Sequence, residues 1–472
     1  MDRAEFLKRA TAGAAGLALA TAAPARKSAT ARAARPNILL IMTDDQPYHT
    51  LGIMDSVQRR LVAEGMSFTN GYVATPVCGP ARGSVLTGKW SHNTGLETTV
   101  GAWQDLVDSG ELASNIARRL KAVGYSCHLT GKFTNNLRNG RWACPGFDSW
   151  WARLEDLNNQ NHIYFSNGGD GRIDIPRDGT KAGNETMVAA TYTERFVRSR
   201  RDVPWFACFW PHAPHGPYYP LDRYASTHRS DRPPTPFGER GKDLSDKATL
   251  VRKRARFSAR GEMTREYRGK LREIEEVDDA VDRLMTVLTN TNQIGHTWVF
   301  FVTDNGFQHG EHYLGGKLWP YEESIRTPCV VRGPGVPANT KNGHLVSQVD
   351  LLPTICDLAG ADASGVDGRS IRPVLRNPGS RFREFLLIEA EGRGWHSVRM
   401  RKWNKARADH ENLLFVRWRD GFEELYDYND DPHLFNGRAN TPRERENAGM
   451  LRKKLLAMRK AAGSKYRALE TG

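Results

Sequence analysis

Three short segments of this chain are apolar from end to end instead of at every second residue: Asn37 to Met42, Trp205 to Trp210 and Trp298 to Val302. A strand with one face in water alternates apolar and polar side chains. A continuous apolar run needs cover on both faces, the situation of a strand inside a parallel sheet with helices above and below. Tyr125 to Thr130 and Thr327 to Arg332 read as further strands. The segments between carry helical periodicity. Leu112, Ile116, Leu120 and Val123 share one face before Gly124, and Leu271, Ile274, Val281, Leu284 and Leu288 line one side of a long helix over Glu266 to Leu288. Val57 to Gly65 and Asp350 to Ala359 read as short helices. The expectation is an α/β fold, a mostly parallel sheet flanked by helices.

Residues 134–185 lack periodicity and read as loops shaping a cleft, and residues 221–265 as a polar surface excursion. The Ala361–Gly368 stretch marks a boundary. Beyond it, Phe385 to Glu389, His396 to Arg401, Asn412 to Arg417 and Glu424 to Tyr428 suit a smaller antiparallel sheet. A basic terminal helix, Thr441 to Arg467, is packed by Leu451, Leu455 and Met458. The expected division is a catalytic α/β domain over 37–368 and an α+β subdomain over 369–472.

The apolar runs end in chemistry. The first stops at Asp44-Asp45, the last at Asp304-Asn305. In open α/β sheets ligands bind outside the carboxyl ends of strands. Each pair alone could be a helix cap. Two buried strands with the same ending supply four oxygen-bearing side chains, a set that suits Ca²⁺ or Mg²⁺ over zinc. The middle run ends in Pro-His212-Ala-Pro-His215, two imidazoles on a proline-stiffened loop, which serve equally as proton donors or as packing on aromatics. Lys132 follows a strand and Gly131, placed for an anion or for solvent. Gln308-His309-Gly310-Glu311-His312 and Gly316-Lys317 suit a loop facing the same cleft.

Thr75 to Lys89 holds Cys78, Pro80 and Arg82, then Leu86-Thr87-Gly88. A helix beginning near Ala81 puts Cys78 at its positive pole beside the Arg82 charge, a setting for an anion or an activated nucleophile. A buried structural cysteine is the competing reading. The stretch resembles the signature of the type I sulfatases, C-x-P-[SA]-R-x-x-x-L-T-G, at every fixed position. The resemblance covers about Pro36 to Asn440, including Glu424-Leu-Tyr-Asp427 with Asp431-Pro432. It implies an alkaline-phosphatase-like fold, a sulfuric ester hydrolase, and oxidation of Cys78 to formylglycine by a formylglycine-generating enzyme. It implies Asp44, Asp45, Asp304 and Asn305 as calcium ligands with residue 78 beside them. It further implies Arg82, Lys132 and Lys317 as sulfate binders, and His212 as the acid for the leaving alcohol. Thr134 stands where many sulfatases carry a histidine two residues after the Gly-Lys lysine. That leaves proton removal at sulfate release to another group, for which His309 is the candidate. Gly131-Lys-Phe-Thr-Asn135 and Leu86-Thr-Gly-Lys-Trp-Ser-His-Asn93 are similar to motifs of N-acetylglucosamine-6-sulfatases and heparan endosulfatases, implying a sulfated carbohydrate or small sulfate ester as substrate. The alternatives are a phosphonate monoester or phosphodiester hydrolase of the same superfamily, and a non-catalytic secreted polyanion-binding protein.

Residues 1–25 read as an export signal: Lys8 and Arg9 precede an Ala-rich apolar run with two A-x-A sites. Arg3-Ala-Glu-Phe-Leu-Lys8 is similar to the twin-arginine pattern with Ala4 in place of the second arginine. Residues 26–36 read as a linker. The run is too short and too rich in Ala and Gly to span a membrane, so the expectation is a secreted or periplasmic protein without stable membrane insertion. The formal net charge of +14 favours polyanionic partners, but no nucleic-acid recognition motif accompanies it. The six cysteines form neither C-x-x-C nor a zinc spacing.

Overall fold

The apolar run Asn37–Thr43 (β1) shows why no alternation was seen. Ile38, Leu40 and Met42 enter the core on one face, while Leu39 and Ile41 enter the core on the other. The computed structural model describes residues 35–471, except 138–143, 155–161, 167–170, 176–183, 201, 234–243, 257–258, 405–408 and 438. The export signal and most of the linker therefore lie outside the described residues. The strands that follow are β2 (Met66–Tyr72), β3 (Ser126–Gly131), β4 (Ser149–Leu154), β5 (His162–Ser166), β6 (Gly171–Ile175), β7 (Trp205–Trp210), β8 (Thr297–Thr303), β9 (Gln308–His309), β10 (Gly315–Gly316), β11 (Cys329–Arg332) and β12 (Thr340–Ser347). Ten of them form one sheet in the order β12-β2-β11-β8-β1-β7-β3-β4-β5-β6.

The centre of this sheet is parallel. β1 pairs with β7 and β8, and β3 with β7 and β4, all in one direction. β11 runs against its neighbours β8 and β2. One face is covered by Glu185–Ser199 and the long helix Arg260–Asn290, the other by Cys78–Thr87, Ile116–Lys121 and Leu351–Ala359. A second, antiparallel sheet follows, with β13 (Phe385–Ala390), β14 (Trp395–Asn404), β15 (Asp409–Trp418) and β16 (Glu423–Asp427) in sequence order. The helices Pro442–Met458 and Gly463–Leu469 pack on it, burying Leu451, Leu455, Met458 and Tyr466.

Several expectations need correction. Residues 134–185 are not all loop: β4 extends the parallel sheet, and β5 and β6 add antiparallel strands beyond it. β12, an edge strand parallel to β2, was not anticipated because Lys-Asn-Gly-His interrupts any alternation. The excursion 221–265 contains a helix at Thr249–Arg254 and the start of the long helix at Arg260. The Leu112–Val123 helix is two elements, a 3₁₀ turn Glu111–Ser114 and Ile116–Lys121, divided where the Asn115 side chain accepts from the Arg118 N–H at 3.0 Å. The terminal helix is likewise broken, ending at Met458 and resuming at Gly463.

Candidate active site

The site is assembled from the carboxyl ends of β1, β3, β7 and β8. In the β1–β8 register Thr43 lies opposite Thr303, so the next residues of both strands, Asp44 and Asp304, emerge together. Asp304 N–H donates to Thr43 O at 3.0 Å, and Asp45 N–H donates to Asp304 Oδ1 at 3.1 Å. Asp45 takes φ 64°, a left-handed conformation costly for a side chain with a Cβ and characteristic of functional turns. Gln348 clamps the end of β8 by donating to Thr303 O at 2.8 Å and Asp304 O at 2.6 Å.

The Cys78–Thr87 helix begins at Cys78 itself, three residues earlier than expected, with extended Val77 preceding it. Pro80 is tolerated there because first-turn N–H groups have no partner within the helix. The thiol is 1% exposed. It donates to Asp44 Oδ1 at 3.3 Å and receives a contact from Lys317 Nζ at 2.7 Å. Burial first, and Asp44 next, push its pKa far up, so the group is a neutral thiol at physiological pH. Arg82 lies one turn along, wholly buried, with Nε 3.0 Å and Nη2 2.9 Å from Asp304 Oδ2, and Nη2 3.4 Å from Asp44 Oδ2.

Lys132 is delivered by a close approach of β3 to β7. A Cβ on Gly131 (φ 99°) would fall 1.9 Å from Trp210 O, so no other residue fits this tip. Lys132 Nζ then reaches Asp44 Oδ2 at 2.6 Å. Lys317 Nζ pairs with Asp45 Oδ1, which also accepts from Asn305 Nδ2 at 2.6 Å. Burial alone would raise Asp44 and Asp45, but Lys132 and His215 on the first and Lys317 and His215 on the second outweigh it and hold both carboxyls low. Asp304 differs: burial and the nearby Asp44 lift it to about 6 despite Arg82.

Asp44, Asp45, Cys78, Arg82, Lys132, Asp304, Asn305 and Lys317 thus meet at one place. His212 stands at its margin, its ring centroid 4.5 Å from that of His215 and its Nδ1 3.7 Å from Glu185 Oε1. Burial, then Arg153 and His215, depress its pKa. His309 is buried against Tyr267 and Phe307, with neither ring nitrogen hydrogen-bonded. Thr134 is buried, and its hydroxyl likewise lacks a partner.

Two further residues belong here. His215 Nε2 lies 3.6 Å from Asp45 Oδ2, and its pKa is lowered to about 4 by burial. Lys270, from the middle of the long helix, is fully buried, with Nζ 3.8 Å from Asp45 Oδ2, 3.2 Å from Pro214 O and 3.9 Å from the Phe307 ring centre. A signal for it exists in the sequence. Met263, Tyr267, Lys270, Ile274 and Val277 follow the helix period, so a lysine occupies a core position.

The donor chemistry fits a hard cation: the Asp44 and Asp45 carboxylates converge, and the buried Asn305 Oδ1 has no hydrogen-bond partner. One donor atom from each of Asp44, Asp45, Cys78 and His215 lies within 4.8 Å of the others. Asp304 is turned away from that group toward Arg82 and two backbone N–H groups.

Sequence and structure comparisons cover the segments that carry these residues. A family model described as Sulfatase matches residues 36–361, and one described as N-sulphoglucosamine sulphohydrolase, C-terminal, matches 310–461. The N-acetylglucosamine-6-sulfatase of Homo sapiens is 29% identical over 76% of this chain and 68% of its own. The extracellular sulfatase SULF-1 homolog of Drosophila melanogaster is 31% identical over 78% of this chain. The chain spans only 34% of that relative's length and 48% of a Caenorhabditis elegans counterpart. Among solved structures, a protein in complex with its substrate D-glucosamine-2-N,6-O-disulfate superposes with a TM-score of 0.72 at 20% identity, covering 92% of this chain and 98% of that one. A phosphonate monoester hydrolase from Silicibacter pomeroyi gives 0.71 at 20% identity over 91% and 96%.

Proposed function

The chain belongs to the sulfatase family, and we propose that it hydrolyses a sulfate monoester on a sulfated carbohydrate of the glucosamine-6-sulfate type, with residue 78 as the nucleophile after conversion of Cys78 to formylglycine. The observation that carries this reading is the setting of Cys78. It is buried at a helix start, within 3.3 Å of a carboxylate and 2.7 Å of an ammonium group, yet held as a neutral thiol. Such a thiol is a poor nucleophile. The hydrated aldehyde has one hydroxyl to attack sulfur and a second whose deprotonation expels sulfate, restoring the aldehyde.

Asp44, Asp45, Asp304 and Asn305 would hold Ca²⁺, or Mg²⁺ in its place, with residue 78 beside it. The bound cation supplies positive charge against the sulfate oxygens and the attacking hydroxyl. Arg82, Lys132 and Lys317, which contact the Asp44 and Asp45 carboxylates, would hold the sulfate and the charge that develops on it. His212 donates the proton to the departing alcohol. The arriving sulfate adds negative charge beside the imidazole, which counters the burial that keeps it neutral in the free protein. With Thr134 in the position of the second histidine, His309 is the candidate to take the proton at sulfate release. The other group able to share that proton is His215.

Maturation requires a formylglycine-generating enzyme. Export by residues 1–25 to the periplasm or the exterior accords with the extracellular relatives. Among the described residues no helix is long and apolar enough to cross a membrane. The division at residue 368 into a catalytic domain and a subdomain belongs to the same reading.

The mass of the peptide containing Cys78, from aerobically grown native host, tests the nucleophile. It should be about 18 Da below the thiol form; an unmodified peptide in active protein overturns the mechanism. The phosphonate hydrolase relatives favour a second reading. Matched aryl sulfate, phosphonate and phosphodiester substrates separate the two, with sulfate expected to be turned over fastest. Chelation should remove sulfatase activity and lower the thermal midpoint.

A further inference from the structure

The turn Glu391–Arg393 joins β13 to β14 and carries two charged residues of different fate. Glu391 is taken up by Arg419 at 3.0 Å, Arg459 at 2.9 Å and His396 at 2.5 Å. Arg393 meets no carboxylate among the described residues, and its buried Nε has no hydrogen-bond partner. Its guanidinium instead lies over the Trp319 ring, 4.7 Å from the ring centre. Burial first, and then the like charge of Arg254, push its pKa below the ordinary value. Arg254 is exposed and makes no ion pair among the described residues. Two guanidinium groups held near each other without an acid invite an anion between them.

This pair stands beside the active site. Lys317, which reaches Cys78, and Trp319, which lies under Arg393, are two residues apart, at most about 7 Å of chain. Leu318 between them takes φ 73°. Its N–H donates to Pro76 O at 3.1 Å, and its carbonyl accepts from Trp395 Nε1 at 2.8 Å. A strained left-handed residue persists where its surroundings enforce it, and here it fixes Lys317 and Trp319 relative to each other. A second route leads to the same place. A Cβ on Gly392 would lie 2.9 Å from Thr98 Cγ2, and Thr98 O lies 3.7 Å from where a Cβ on Gly79, the neighbour of Cys78, would be. Arg256 N–H donates to Tyr313 O at 2.8 Å, which brings Arg254 alongside the loop that leads to Lys317.

We propose that Arg393, with Arg254 beside it, is a specificity subsite that holds a second anionic group of the saccharide, a sulfate or a carboxylate, while the sulfate to be cleaved lies at residue 78. This rests on the carbohydrate reading above. Stacking on Trp319 fixes the guanidinium plane before the substrate arrives, so little freedom is lost on binding. A singly sulfated ester does not call on this contact, so substrates with and without a second anion report on it separately.

The test compares kcat/KM, with the full chain in Ca²⁺ buffer, on three substrates: N-acetylglucosamine-6-O-sulfate, D-glucosamine-2-N,6-O-disulfate, and a disaccharide joining a uronate to the 6-O-sulfated sugar. The parent should favour at least one doubly charged substrate over the singly charged one by about tenfold. In Arg393→Met, which keeps a side chain over Trp319, that preference should fall about tenfold, through KM more than kcat. Arg393→Lys keeps the charge and should retain most of the preference. Arg254→Met, at an exposed position, should reduce it about threefold. Lys341→Ala, an exposed cation on the edge strand β12, should leave it as in the parent. A loss confined to the disulfate puts the second anion on the cleaved sugar, and one confined to the uronate puts it on the next sugar; both support the subsite. The subsite is refuted if the parent shows no preference, if Arg393→Met keeps it, or if Lys341→Ala loses as much. If Arg393→Met does not fold, Arg254→Met decides, and an unchanged preference there refutes the subsite. If no sulfate ester is turned over at all, calorimetry with the disulfate decides. Weaker binding by Arg393→Met than by the parent then leaves the subsite standing while the catalytic reading fails; equal binding refutes both.

Discussion

Among the described residues, the cluster of buried ions at the tips of β1 and β8 and the cluster of Arg383, Asp350 and Glu470 are built on opposite plans. In the second, Arg383 grips both oxygens of Asp350 at 2.6 and 2.7 Å and reaches Glu470 at 2.9 Å. Asp350 further accepts the N–H groups of Ser347 and Arg369. Bidentate geometry with added N–H donors repays the cost of removing these charges from water. At the strand tips, three carboxylates and four cations crowd together without such pairing. Lys317 and Lys270 share Asp45, Arg82 is divided between Asp44 and Asp304, and Asn305 Oδ1 and both nitrogens of His309 go unmatched. Burial is equal in the two places, so burial does not separate a clamp from a reaction centre. Nor does unmet hydrogen-bonding capacity, since Arg383 Nε and both oxygens of Glu470 also lack a hydrogen-bond partner; what differs is that the strand-tip carboxylates of Asp44 and Asp45 are each divided among several cations.

Substitutions should therefore act on different observables in the two clusters. Cys78→Ala should reduce kcat/KM on any sulfate ester by at least about 10⁴-fold while leaving the thermal midpoint unchanged. A large loss of stability would mean the strand-tip cluster also holds the fold. Arg383→Ala should do the reverse. Leaving Asp350 and Glu470 buried without their partner costs about 3–5 kcal/mol by denaturant titration, and activity per folded molecule should persist. Lys270→Met keeps the helix and its packing but removes a cation from Asp45. A fall in kcat/KM of about 10- to 100-fold, without loss of stability, would confirm that the charge shared on Asp45 serves the reaction; normal activity would return Lys270 to the core.

The smallest effect concerns pH. Burial, outweighing Arg383, lifts Glu470 to about 7 from its ordinary 4.5. Between those values the unfolded chain has released this proton while the folded chain keeps it. Stability should fall as pH rises through the window, at about 1.4 kcal/mol per pH unit from this group at most. Glu470→Gln should flatten that part of the profile in denaturant titrations at pH 5 and 7. A slope that survives the substitution assigns it to other groups, Asp304 among them.

The strand-tip oxygens were legible in the sequence because a strand apolar on both faces has one place to put chemistry, its end. Asp44, Asp45, Asp304 and Asn305 announce themselves that way, and Lys132 does so through Gly131. Lys270 and His215 were not assigned. The first lies within a helix whose apolar stripe masks the lysine that interrupts it, and the second shares a loop with His212, which the same pattern serves equally well. The second sheet was read strand for strand because Phe385 to Tyr428 keeps clear breaks. β4 to β6 and β12 were missed for the opposite reason: they lie toward the sheet's margins, where fewer neighbours demand a regular pattern.

The pairing of β1 with β8 joins residues about 260 apart in sequence, and this has a consequence in time as well as in space. During synthesis at roughly 5–20 residues per second, Asp45 is made between about ten and fifty seconds before Asp304. No version of the site can close in that interval, because two of its four oxygen-bearing side chains do not yet exist. Cys78, 1% exposed once the fold is complete, has no finished site around it during that interval.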